Sequence, residues 1–128
     1  MKTIHLFKDV NLSDINIQNY GRDVLLKFRD TQDGEICGSI HLKNVYVLNY
    51  HNIFEDEDDG LACYIGEVTI AELQGEEASF QLNVLGFQFE GCDGATYLPQ
   101  SSTLFFLHLE GGELAIDLIS SNYKLLNE

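Results

Sequence analysis

The run Glu55-Asp56-Glu57-Asp58-Asp59-Gly60 sets five carboxylates side by side, the oxygen-rich ligand set that a hard cation such as calcium takes. An EF-hand does not fit it. With Gly60 as the sixth residue of the loop, the twelfth is Gly66 rather than a bidentate glutamate, and the flanks read as strands. A calcium site at the end of a β fold would draw on Asp56, Asp58 and Asp59, joined by Asp93 from another loop. A solvated acidic loop accounts for the same run without a metal. Cys37, Ser39 and His41 alternate onto one strand face like a nucleophile beside a base, but residues two apart on a strand stand about 7 Å from each other, too far for a hydrogen bond. His108, Glu110, Glu113 and Asp117 share one face of a C-terminal hairpin in which Glu110 is expected opposite Glu113. Like charges facing each other mark a metal or a shared proton only where they cannot splay into water.

No nucleophile elbow, phosphate-binding loop or dinucleotide-binding glycine pattern occurs, and no paired histidines have zinc-ligand spacing. The three cysteines Cys37, Cys63 and Cys92 form neither a closed disulfide set nor a Cys-x-x-Cys knuckle. Cys92 lies between Glu90 and Asp93, whose charges oppose a reactive thiolate. The residue types therefore predict no catalytic centre.

The elements that must position these groups are strands. Val24, Leu26 and Phe28 alternate, as do Ile36, Ile40 and Leu42, and period-two alternation means half-buried β structure. Phe28 opposite Ile36 would set Arg29 against Glu35, just before the turn at Gln32-Asp33-Gly34. Gly111-Gly112 between two alternating runs predicts a two-residue hairpin turn at positive φ. That turn places Leu109 against Leu114, Leu107 against Ile116 and Phe105 against Leu118. Phe80, Leu82 and Val84 on one parity and Leu85, Phe87 and Phe89 on the other predict a strand with a bulge at Gly86, and a similar phase change falls at Gly66. Further short strands are predicted at Thr3 to Phe7, Asp14 to Gln18 and Val45 to Tyr50.

With 128 residues and no linker or repeat, residues 1–128 make one domain. The fold expected is all-β, a mainly antiparallel β-sandwich of about eight or nine strands with β-bulges, or alternatively a partly closed β-barrel. The expected core is Val24, Leu26, Phe28, Ile36, Ile40, Leu42, Phe80, Leu82, Val84, Phe105, Leu107, Leu109, Leu114, Ile116 and Leu118.

Charge is the most informative feature. The 21 acidic residues against 7 basic ones give a net charge of −14, which argues against nucleic acid and anionic membrane surfaces as partners. Apolar runs are far shorter than a membrane span needs, and the N-terminus lacks the pattern of a secretory signal, so the cytoplasm is the expected location. Residues 1–43 balance six basic against six acidic side chains, whereas residues 44–123 hold fourteen carboxylates and no Lys or Arg. Solubility alone explains such a surface; a negative field that steers a basic protein explains it too.

In general character, though not by any motif, the chain is similar to small acidic all-β bacterial proteins, some of which are immunity partners that cap a basic toxin nuclease. The expected function is a non-catalytic protein-interaction module that binds a basic protein through Glu55, Asp56, Glu57, Asp58, Asp59, Glu76, Glu77, Glu90 and Asp93. The alternative is a β-sandwich that binds a divalent cation or small ligand with the same loops. No cofactor is expected, calcium being the one candidate.

Overall fold

The computed structural model describes residues 2–55, 63–87, 89–90, 92–94, 96–97 and 103–127. Strands β1 (Lys2–Gln18), β2 (Asp23–Asp30) and β3 (Ile36–Asn52) form a meander, followed by β4 (Tyr64–Leu73), helix α1 (Glu76–Val84), a two-residue ribbon β5 (Phe89–Glu90) and β6 (Thr96–Tyr97), and the hairpin β7 (Leu104–Glu110) and β8 (Leu114–Asn127). Six antiparallel strands make one sheet in the order β1-β2-β3-β8-β7-β4, and β1 pairs with β4 to close it into a barrel. The two facing sheets of a sandwich are therefore replaced by one sheet rolled on itself.

The short strands expected at Thr3 to Phe7 and Asp14 to Gln18 belong to one 17-residue strand, and Val45 to Tyr50 is the second half of another. The chain passes through Asp9 at φ 52 and Asn44 at φ 53 without leaving the sheet. Asp and Asn are the side chains that best tolerate this left-handed conformation, so the breaks in pattern are bends and not turns. A third phase change, at Gly66, lies within β4, where Ile65 and Val68 are both buried.

Inside the barrel, Val24, Leu26, Phe28, Ile40, Leu42, Ile65, Val68, Ile70, Leu107, Leu109, Ile116 and Leu118 form one core. Ile36 departs from expectation. Phe28 pairs with Gly38 rather than Ile36, and a register shift sets Ile36 against Arg29, leaving it 38% exposed.

The larger correction is at residues 76–84, where the expected strand is helix α1. Ala78 and Leu82 are buried against Val47, Ala71, Leu73, Leu104 and Ile119 on the outer face of the barrel. Phe80 and Val84 face outward, 65% and 62% exposed. Glu76 and Glu77 sit in the first turn, where carboxylates suit the helix dipole. At the other end Gly86, at φ 76, lets its own N–H donate to the Asn83 carbonyl and the Phe87 N–H reach the Leu82 carbonyl. This is a Schellman closure, which needs a residue free to adopt positive φ. Gly86 is thus a helix stop, not a strand bulge.

The β7–β8 hairpin keeps its predicted faces but slips by two residues: Leu107 pairs with Leu118, Leu109 with Ile116 and Phe105 with Ser120. Neither Gly111 nor Gly112 uses positive φ. A Cβ on Gly111 would lie 1.8 Å from the Tyr64 carbonyl oxygen, whereas one on Gly112 would meet open space. Gly111 is therefore required by close approach to β4 and Gly112 is not. Gly111→Ala is expected to lower unfolding stability by about 1–3 kcal/mol through overpacking, and Gly112→Ala to stay within about 0.5 kcal/mol of the parent; urea denaturation of both variants checks this.

Candidate functional site

Pairing across the closed sheet lines up polar side chains on the outer face of β4, β7 and β8. Their neighbours in sequence, Val68, Ile70, Leu107, Leu109, Ile116 and Leu118, point into the core. Strand alternation then forces Glu67, Thr69, His108, Glu110 and Asp117 outward. One row of directly opposed residues runs His5, Thr69, His108, Asp117, Asn49 across β1, β4, β7, β8 and β3. The next row runs Lys8, Glu67, Glu110, Ala115, His51.

The rows are stitched by histidine–carboxylate contacts. His108 Nδ1 lies 2.6 Å from Asp117 Oδ1, and its Nε2 3.3 Å from Glu110 Oε2. His5 Nδ1 lies 2.5 Å from Glu67 Oε1. Burial by itself would lower the pKa of His108, but the hydrogen bond and charge of Asp117, followed by those of Glu110, outweigh it and raise the pKa above the usual histidine value. With a carboxylate at each ring nitrogen the imidazolium donates twice.

Beside these rows, His5, Leu6, Phe7, Lys8, Gly66, Glu67 and Glu110 line a cleft of about 690 Å³. Within it Glu67 and Glu110 face each other across β4 and β7, and Lys8 faces Glu67 from β1. A second His–carboxylate contact is at a different place in the sheet, where His41 Nε2 is 3.5 Å from the buried carboxylate of Asp23. Asp23 accepts from Asn19 Nδ2 at 2.5 Å and from the Asn44 N–H at 3.3 Å. The Asn19 hydrogen bond is the largest influence on Asp23 and holds its carboxyl below the usual range against the opposing effect of burial, with Asn44 and His41 adding to it. These bonds brace the chain where β2 and β3 meet. At Cys37, burial together with Asp30 and Asp33 pushes the thiol pKa up, and Ser39 is buried, so the alternating Cys37, Ser39 and His41 do not make a nucleophile–base pair.

Of the carboxylates expected to contact a partner, Glu76 and Glu77 are exposed on α1 and line a shallow groove with Phe80 and Gln81. Glu55 and Asp93 are exposed, and Glu90 belongs to β5. Asp56, Glu57, Asp58 and Asp59 lie outside the described residues, and so does any calcium site built on them. Among the described residues no three His, Cys, Asp or Glu side chains are grouped to hold a metal ion. The expected facing pair of Glu110 and Glu113 is overturned by the two-residue slip, which sets Glu110 against Ala115 and leaves Glu113 in the turn. The facing carboxylates are instead Glu67 and Glu110, a pairing between distant segments. Hairpin parity had already put His108 and Asp117 on one face, and a four-residue loop in place of a two-residue one would have set them opposite each other.

Together these features define a closed, six-stranded antiparallel barrel capped on one outer face by a helix, with an acidic, histidine-braced outer surface. Among the described residues no helix is long and apolar enough to cross a membrane. A family model described only as "-like" matches residues 5–126, and the chain belongs to that family. No curated protein matches it. The fold is similar to that in a crystal structure of an uncharacterized protein from Neisseria gonorrhoeae, with a TM-score of 0.66 at 16% identity, covering 98% of this chain and 97% of that one; the likeness is one of fold.

The histidine brace has a pH signature. The folded pKa of His108 is raised, so its contribution to stability is complete below the ordinary value of 6.5 and disappears as pH rises through the elevated folded value. The stability gap between the parent and His108→Gln is therefore expected to be widest in mildly acidic buffer and to close under alkaline conditions, as read by urea denaturation across pH. A gap that is constant with pH would contradict the brace.

Proposed function

We propose that the chain is a non-catalytic interaction module of the cytoplasm that engages a basic protein through the acidic half of its barrel, in the manner of an immunity partner capping a basic toxin. The observation that carries this reading is the strand order. The meander β1-β2-β3 holds Lys2, Lys8, Arg22, Lys27, Arg29 and Lys43, while β4, β7 and β8 are contiguous on the other side. The described carboxylates that follow residue 43 thereby gather largely on contiguous strands, with Lys2 and Lys8 of β1 facing Glu72 and Glu67 at the border. Glu67, Glu72, Glu110 and Asp117, with Glu76 and Glu77 on α1 and Glu113 in the turn, share that side with a single basic residue among the described ones, Lys124.

A field of this kind accelerates encounter with a basic partner and is screened by salt. Of the exposed apolar side chains on α1, Phe80 lines a groove with Glu76 and Glu77, and an apolar anchor beside charged groups suits a protein interface.

Tagged protein is expected to capture a basic protein from native lysate at about 50 mM salt and to lose it at about 500 mM. The variant Glu72→Lys/Glu76→Lys/Glu77→Lys should slow association about tenfold or more. The variant Asp14→Lys/Glu35→Lys, on the balanced side, should leave it unchanged. Equal capture by both variants would show that the acidic half is only a solubilising surface.

A further inference from the structure

We propose that the second half of β3 is a pairing edge for a second copy of this chain, the two strands joining antiparallel about a two-fold axis at Asn49. Closure gives every barrel strand two neighbours, but not along its whole length. The β2–β3 ladder ends at Val24 opposite Leu42, and the Val45 N–H donates to the Arg22 carbonyl, whereas β3 continues to Asn52 beside β8 alone. Two bonds fix which backbone groups are left over. The Ile53 N–H donates to the Glu113 carbonyl, and the Gly111 N–H donates to the Leu114 carbonyl across β7 and β8. Strand alternation from both turns Ile116 and Leu118 toward β7, and turns the N–H and C=O of Leu48 and Tyr50, which stand opposite them on β3, away from β8. Among the described residues no backbone hydrogen bond receives these groups and no other element runs alongside them.

The composition of this edge decides what it admits. Natural edge strands are blunted by charged side chains or proline, and the other stretches that outrun a neighbour, in β1 and in β8 beyond Ser120, carry Lys2, Lys8, Asp9, Asp14 and Lys124. From Asn44 to Phe54 there is no Asp, Glu, Lys, Arg or Pro. In a chain of net charge −14, an edge that meets its own copy must be locally neutral, because like charges directly opposed across a ladder repel. A two-fold interface must also be self-complementary. With Asn49 on the axis, Leu48 of one copy stands opposite Tyr50 of the other, and each of these facing pairs exchanges both of its backbone hydrogen bonds. The side chains fall on one face, since Leu118 and Ile116, their partners on β8, are both buried in the core. The Tyr50 ring, 48% exposed, then gains Leu48 of the second copy as its cross-strand neighbour, and the exposed Ile53 and Phe54 extend the apolar patch beyond the ladder.

The test is sedimentation velocity of the full chain from about 10 μM to about 1 mM, paired with amide hydrogen exchange read by NMR over the same range. The expected result is a monomer–dimer equilibrium in which the amides of Leu48 and Tyr50 exchange more slowly as the dimer fills. Raising salt from about 50 mM to about 500 mM screens the repulsion between two copies of like net charge and should tighten the dimer several-fold, the opposite of its effect on capture of a basic protein. Tyr50→Lys sets an unanswered charge in the ladder and should raise the dissociation constant at least about tenfold. Tyr50→Pro removes the outward N–H while sparing the hydrogen bonds to β8 and should weaken the dimer likewise; Leu125→Lys, on the β8 edge, should leave it unchanged. Dispersed resonances of each variant establish that it folds, and exchange in the parent chain needs no variant. A chain that stays monomeric throughout, a dimer indifferent to both Tyr50 variants, or protection that grows elsewhere in the sheet and not at Leu48 and Tyr50 would each overturn the proposal.

Discussion

Everything described here depends on the pairing of β1 with β4. That ladder, running from Lys2 opposite Glu72 to Asn11 opposite Tyr64, joins the first strand of the N-terminal meander to the first strand of the C-terminal half. Closing the sheet removes the edges that an open sheet would expose to other chains and surrounds a single apolar core with six strands. Burial of that core is non-directional; the ladder is what gives it direction, because alternation then decides which side chains remain for the outside.

Closure also converts sequence into surface. Because β1, β2 and β3 are consecutive in both chain and sheet, their basic residues stand on one run of strands and the described carboxylates of β4, β7 and β8 on another, the two meeting where Lys2 and Lys8 face Glu72 and Glu67. Carboxylates gathered on contiguous strands repel, and the fold meets this locally with histidines. His108 is held between Asp117 and Glu110, and His5 contacts Glu67. Glu67 and Glu110 are directly opposed across β4 and β7, and Lys8 faces Glu67 from β1.

How much of this was legible in the sequence follows from the range of the forces involved. Alternation is local, so the inward faces of β2, β7 and β8 were readable from Val24, Leu26, Leu107 and Ile116. Register depends on where the partner strand's backbone lies, so both predicted hairpins slipped by two: Gly38 and not Ile36 faces Phe28, and Gly111 serves the close approach of Tyr64 rather than a tight turn. Phe80, Leu82 and Val84 imitate strand alternation, yet α1 forms because Ala78 and Leu82 fill the outer face beside Leu104 and Ile119. Its signals were present in the acidic first turn and in Gly86 but are weaker than the periodicity they contradict. The facing of Glu67 with Glu110 joins segments some forty residues apart, and no local pattern encodes that meeting.

The central claim, that the acidic half is a recognition surface, is tested most directly by zero-length carbodiimide coupling of the low-salt complex followed by mass spectrometry. This chemistry joins a carboxylate of this chain to a lysine of whatever protein touches it. The account predicts amide links from partner lysines to Glu72, Glu76, Glu77 and their neighbours on β4, α1 and β7. Links confined to Asp14, Asp30, Asp33 and Glu35 on the β1–β3 side, or none to any protein, would contradict it.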